Sequence, residues 1–107
     1  MAYKVLGQSA PAATTDTNVY TVPSATEAVI STIVIANRAN TAGSFRLAVR
    51  PNGATIANQH YLAYDVPIAA NDSTTLTLGI TVDAADVVTF RASSADMSIN
   101  VFGTEIA

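Results

Sequence analysis

The stretch Ala28 to Asn37, Ala-Val-Ile-Ser-Thr-Ile-Val-Ile-Ala-Asn, constrains the fold of this chain more than any other. It holds no charge, no Gly and no Pro, and β-branched residues dominate it. As a helix it would crowd those branched side chains against its own preceding turns. As a strand it is apolar on both alternating faces, with Val29, Ile33 and Ile35 on one side and Ile30 and Val34 on the other. That pattern predicts a central strand buried on both sides. Ser44 to Arg50 then alternates, with Phe45, Leu47 and Val49 facing one way and Arg46, Ala48 and Arg50 the other. The Asn-, Thr- and Gly-rich loop Asn37 to Gly43 is expected to join the two as a hairpin.

The remaining segments continue the pattern. Tyr3 to Gln8 reads as a first strand and Asn18 to Val22 as a second, ended by Pro23. Between them, Ser9 to Asp16 reads as an extended arm or loop, because Pro11 lacks an amide donor and pushes Ala10 out of the α region. Pro51-Asn52-Gly53 is a turn signal, and Ala54 to Gln59 is either a single helical turn or a long connection. His60 to Val66 reads as a strand with Leu62, Tyr64 and Val66 on one face, and Pro67 places it at a sheet edge or ends it. Ser73 to Leu78 comes after the Asn71-Asp72 turn, with Leu76 and Leu78 inward and Thr75 and Thr77 outward. Gly79 marks a bulge or crossing before a short strand, Ile80 to Val82. After the turn Asp83 to Asp86, Val87 to Ala92 and Met97 to Phe102 complete the set, the last with Met97, Ile99 and Val101 toward the core. About eight short strands at roughly 8–12-residue spacing imply an all-β, antiparallel sandwich or jelly-roll-like fold.

The chain has 107 residues, the size of one domain, so 1–107 is expected to form a single sandwich. Charged residues make up only 12%, about half the usual share of roughly 25%. A surface partly covered by other copies or partners and a small neutral sandwich both fit that figure. The net charge of −3 and the scattered Lys and Arg argue against a nucleic-acid partner. No apolar segment approaches the ~20 residues that span a bilayer. The start, Met-Ala-Tyr-Lys-Val-Leu-Gly, lacks the apolar core of a signal peptide, so a soluble protein made in the cytoplasm is expected. Cysteine is absent.

No residue pattern carries a catalytic site or calls for a cofactor. His60 is the single histidine, and a triad would need a nucleophile beside it and an acid behind it. The simpler reading is a strand-end histidine bonded to backbone or water. Asp65 is expected on the opposite face of that strand. Asp72, Asp83, Asp86 and Asp96 fall in turns, where aspartate ordinarily bonds its own backbone. Their spacing is not that of a calcium loop. Arg46 and Arg50 share a strand face and Arg91 faces outward on another. They form either a solvated face or charged contacts with a neighbouring subunit, where Arg is enriched. Tyr3, Tyr20, Tyr61 and Tyr64 serve either as packing at the core rim or as a stacking platform for sugars.

Several stretches resemble small structural proteins of tailed bacteriophage particles, including those of viruses infecting cyanobacteria and other aquatic bacteria. They are Met1-Ala-Tyr-Lys-Val-Leu-Gly-Gln-Ser, Val19-Tyr-Thr-Val-Pro-Ser, Ile33-Val-Ile-Ala-Asn, Phe45-Arg-Leu-Ala-Val-Arg-Pro and Ile99-Asn-Val-Phe-Gly-Thr-Glu-Ile. Val82-Asp-Ala-Ala-Asp-Val-Val-Thr-Phe is similar to a phage sandwich turn in which Gly-Asp often stands at Ala85-Asp86. The alanine departs from that pattern and removes the residue that best tolerates positive φ. The resemblance spans nearly the whole chain.

It implies a virion component without enzymatic activity or cofactor, made in the host cytoplasm. The first expectation is a capsid decoration or cement protein that bridges capsid subunits and stabilises the assembled head. Its partners would be itself, as a homotrimer, and the major capsid protein or other virion proteins. A tail or baseplate part is the alternative, and a carbohydrate-binding adhesin module the next. An enzyme would require His60 within hydrogen-bond reach of a serine and an acid. The arm Ser9 to Asp16, including Pro11, and the loop Ala54 to Gln59 are the candidates for reaching a neighbour. Arg46, Arg50 and Arg91 are the candidates for anchoring on an acidic surface.

Overall fold

A computed structural model describes residues 2–107, and it is all-β. The strands among these residues are β1 (Lys4–Ser9), β2 (Thr17–Thr21), β3 (Glu27–Asn37), β4 (Gly43–Arg50), β5 (Tyr61–Ile68), β6 (Ser73–Leu76), β7 (Ile80–Val82), β8 (Val87–Ala92) and β9 (Met97–Ile106). Two single 3₁₀ turns, Pro51–Gly53 and Asn58–His60, lie between β4 and β5. One sheet runs β1-β9-β3-β6, with β7 also on β3; the other runs β2-β8-β4-β5. Every pairing is antiparallel. β6 and β7 lie end to end on β3, so they act as one interrupted edge strand. Counted that way the two sheets hold eight strands in jelly-roll order, with most connections crossing between layers.

Long β-branched runs make the strands, and alternation decides what they bury. Ile30, Ile33 and Ile35 of β3 meet Met97, Ile99 and Val101 of β9 within one layer. Phe45, Leu47, Val88 and Phe90 supply the other, and all these side chains are at most 1% exposed. The Phe45 and Phe90 rings sit 6.0 Å apart at the centre.

Bulges in two strands and a break in a third correct three expectations about faces. β3 is central, but it is not buried on both sides. An extra residue, Ser31, shifts the pairing between Ile30 and Thr32, so Ile30 and Ile33 both turn inward while Val29 and Val34 stay on a half-buried outer face. A one-residue insertion reverses the phase of everything after it. In β5, Leu62 and Tyr64 point outward and are 47% and 55% exposed; Ala63, Val66 and Ile68 face in. The pairing shifts twice, at Leu62 and at Asp65, whose φ is +52°. Leu78 is 51% exposed because β6 ends at Leu76, and the chain turns through Gly79 at φ +61° before rejoining β3 as β7.

The segment after β3 is likewise not a hairpin. β3 and β4 belong to different sheets, so residues 38–42 cross the end of the sandwich. Asn37, 2% exposed, organises that crossing. Its amide donates to the carbonyls of Thr41 (2.9 Å) and Ala69 (3.2 Å), and its Oδ1 accepts the Ala39 amide. Of the two readings of Ser9 to Asp16, arm or loop, the loop holds. Pro11 is buried, and the Thr14 amide donates to the Ala92 carbonyl at 2.7 Å, laying residues 10–16 across the end of the sandwich from β1 to β2. Ala85 takes φ +69° although it is not glycine. Asp86 sustains that turn by accepting the amides of Asp83 and Asn52.

Pro67 does lie on an edge strand, since β5 ends its sheet. At the opposite side, Gly7 of β1 faces β2 so closely that a Cβ there would stand 2.3 Å from the Val19 carbonyl oxygen.

Candidate docking face

The outer face of the β2-β8-β4-β5 sheet gathers Arg46, Arg50 and Arg91 with Tyr61, Tyr64, Asp16 and Asp65. Register places them. Arg46 on β4 is the direct cross-strand partner of Arg91 on β8, beside the core pair Leu47 and Phe90. Asp16 stands just before β2, whose Thr17 pairs with Phe90, so it flanks Arg91. On the other side, the β5 bulge sets Tyr64 and Asp65 together opposite Arg46. A lateral row results, acid, base, base, acid, across four strands.

Like charges directly opposite on a sheet repel, and the two aspartates offset this unequally. Arg46 donates from Nε to Asp65 Oδ1 at 2.7 Å and from a terminal nitrogen to Oδ2 at 3.3 Å, a two-point contact. Its guanidinium also lies 4.1 Å from the Tyr64 ring centroid, and Tyr61 meets Tyr64 edge-on at 90°. The hydrogen bonds from Arg46, reinforced by the charges of Arg46 and Arg91, hold the Asp65 carboxyl below its usual range. Arg91 is more loosely held, 3.9 Å from Asp16. Between the two arginines lies a shallow concavity of about 260 Å³, rimmed by Thr14, Ser44, Asp65 and Ser93. Arg91 can therefore turn to an incoming acid.

Arg50 behaves differently from its neighbours. Its Nε donates to Thr89 Oγ1 (3.0 Å) and its terminal nitrogens donate to the carbonyls of Gly53 (3.2 Å) and Ala54 (2.9 Å) and to Asn18 Oδ1 (2.8 Å). It clamps β4, β8, β2 and the 51–54 turn together rather than offering a free cation. Ala48, whose cross-strand partners are Tyr61 and Thr89, is only 1% exposed although it lies on this outer face. Of the other candidate contact residues, Gln59 is exposed on the Asn58–His60 turn, and Pro11 is buried.

His60 closes its own turn: Nδ1 accepts the Ala57 amide at 3.0 Å, and its amide donates to the Ala57 carbonyl. Asp72 and Asp83 each accept the next residue's backbone amide. Among the described residues, no three His, Asp or Glu side chains converge where a metal could sit. Tyr20 is a rim residue, with its hydroxyl donating to Glu105 Oε2 at 2.6 Å. Tyr3 stands out in solvent at 77% exposure.

Sequence reasoning missed the partners of the arginines. Alternation puts Asp65 on the face opposite Val66, but nothing in the sequence says that β4 lies beside β5 or that Tyr64 turns outward with Asp65; both follow from the bulged pairing. Asn18 and Thr89, which hold Arg50, carry no signal of their own. No protein-family model matches the chain, and no curated protein or solved structure matches it either.

Proposed function

We propose that this chain is a structural component of a tailed-bacteriophage particle that works by contact and not by chemistry. It decorates the capsid, docking through the Arg46–Arg91 face onto an acidic surface of the shell. The observation that supports this most is the gathering of arginine on one face, between Asp16 and Asp65. In a chain of net charge −3, Arg46, Arg50 and Arg91 share a single sheet face, and two of them border an open concavity. Arginine fits such contacts because its planar fork meets a carboxylate at two points. A partner that binds only the assembled shell stabilises that shell by mass action. Many copies, each held weakly, give a firm hold when they bind as one lattice.

The jelly roll accommodates this role and hosts others as well, so the role rests on the arginine face and not on the fold. A place in the tail or baseplate would use the same arginine face. A sugar-binding role is less favoured, because stacking needs coplanar rings. Tyr61 and Tyr64 stand at 90° and Arg46 already covers the Tyr64 ring.

The test is co-sedimentation of the protein with heads of its phage at low and high salt. The wild type should pellet with the heads and be released by salt, while the doubly substituted R46A/R91A stays in the supernatant with an unchanged β-sheet spectrum. Equal retention of both proteins would rule out the arginine face. Retention on isolated tails and not on heads would move the role to the tail.

A further inference from the structure

The opposite face of the sandwich, the outer surface of the β1-β9-β3-β6 sheet, differs in kind. Register sets Val5 and Gln8 of β1 beside Ser98, Asn100, Phe102 and Thr104 of β9. Next to these run Val29, Thr32, Val34 and Ala36 of β3, then Thr75 and Thr81 on the interrupted edge. Phe102, Thr32, Val34 and Val29 form the middle; the amides and hydroxyls of Gln8, Asn100, Ser98 and Thr75 surround them. Gln8 and Asn100 already bond to each other at 2.6 Å. Among the described residues, Glu27 at one corner is the one charged residue of this face. Ordinarily about 25–35% of an exposed surface is charged. Tyr3, just ahead of β1, Val5 and Ile106 are 77%, 48% and 39% exposed and border the same surface.

We infer that this face packs against a second copy of the chain, sheet on sheet, about a two-fold axis. Three arguments select that occupant. The first is charge. A two-fold contact brings each patch against itself. The arginine face would then set Arg46 and Arg91 near their own copies, whereas on this face the described charge is confined to Glu27 at one corner. The acids that give the chain its negative charge sit mostly in end turns, away from this surface. The second is chemistry, because an apolar middle with a polar, uncharged rim is the layout of a protein interface. The third is size. At about 3.3 Å per residue and about 4.8 Å between strands, the strands of this sheet present a face on the order of 540 Å². Two such faces together bury about 1,100 Å², just above the roughly 1,000 Å² that a biological interface needs. The two-fold pair stands in place of the three-fold assembly that the sequence resemblance implies. It does not depend on the proposed capsid role, since the arginine face remains free on the outside of each copy.

The experiment is a mass measurement by sedimentation on the full chain, alongside Val34→Lys and Thr32→Lys on the uncharged face and R46A/R91A on the other. The wild type and R46A/R91A should have twice the mass of one 11.0 kDa chain. Each lysine variant should have half that mass and retain the wild-type β-sheet spectrum. Wild-type melting should rise with protein concentration, and that dependence should vanish in both lysine variants. A single-chain mass for the wild type would overturn the inference. So would a three-chain mass, or a pair that survives both lysines. Because these readings need no phage particle, they stand or fall separately from head attachment.

Discussion

Tyr20 of β2 donates a 2.6 Å hydrogen bond to Glu105 of β9, tying one sheet to the other at the rim of the core. The second carboxylate oxygen of Glu105 pairs with the Lys4 ammonium. Both titrations shift. The contacts with Lys4 and then Tyr20 hold the Glu105 carboxyl below its ordinary 4.5. Burial, then the bond to Glu105, holds the Tyr20 phenol above its ordinary 10.0.

Stability should therefore fall at both ends of the pH scale. The Glu105 share is complete above pH 4.5 and is lost as pH drops through the lowered folded value. The Tyr20 share is complete below pH 10.0 and is lost as pH climbs toward the raised folded value. Tyr20→Phe should lower the melting temperature by several degrees at neutral pH and flatten the alkaline fall. Melting curves from acid to alkali provide the check; an alkaline fall of the same depth in both proteins would show that the link contributes nothing.

Leu47 is wholly buried beside Phe90. Leu47→Asp should prevent folding, since it buries an unpaired charge. Leu47→Ala should fold with a loss of about 2–5 kcal/mol. Circular dichroism and urea titration measure both, and a soluble aspartate variant with unchanged melting would show that the face is misassigned.

Arg46 and Arg50 should separate under substitution although they sit on one strand face. Arg50→Ala removes hydrogen bonds to three different segments and should cost about 2 kcal/mol. Arg46→Ala should leave thermal stability nearly unchanged, as exposed ion pairs contribute little. If Arg46→Ala proved the more damaging in urea titration, the division into clamp and contact residue would be reversed.

Ala85 occupies the left-handed region at φ +69°, which strains a side chain bearing a Cβ. Ala85→Gly should stabilise the domain by about 1 kcal/mol, the relieved strain exceeding the added freedom of the unfolded chain. A higher urea midpoint at constant slope is the expected reading, and a lower one would mean that the turn relaxes on its own.

Strand positions were legible because Gly, Pro, Asn and Asp punctuate the apolar runs, and the core residues of β4, β8 and β9 keep a simple period of two. Three things were not. Ser31, Leu62 and Asp65 are ordinary residues in the sequence, yet each inserts one position and reverses the face of the residues beyond it. The 38–42 segment looks like a hairpin loop because its composition suits any tight connection; two of the carbonyls that Asn37 binds, those of Ile68 and Ala69, come from the end of β5 in the other sheet, about thirty residues on. The docking face depends on lateral register between β8 and β4, and on a bulge in β5, neither of which a single strand encodes. Pro11 misleads for a related reason: Ala-, Pro- and Thr-rich chain suits an extended path whether it is free or packed down.

The broken edge formed by β6, Gly79 and β7 bears on what happens when this protein is crowded. A straight edge would offer an unbroken ladder of amides and carbonyls to any passing chain. Here the ladder stops at Leu76 and resumes at Ile80, while on the adjacent rim Pro67 lacks a donor. Strand addition on that side meets one ladder broken at Gly79 and another that lacks a donor at Pro67, which disfavours open-ended growth.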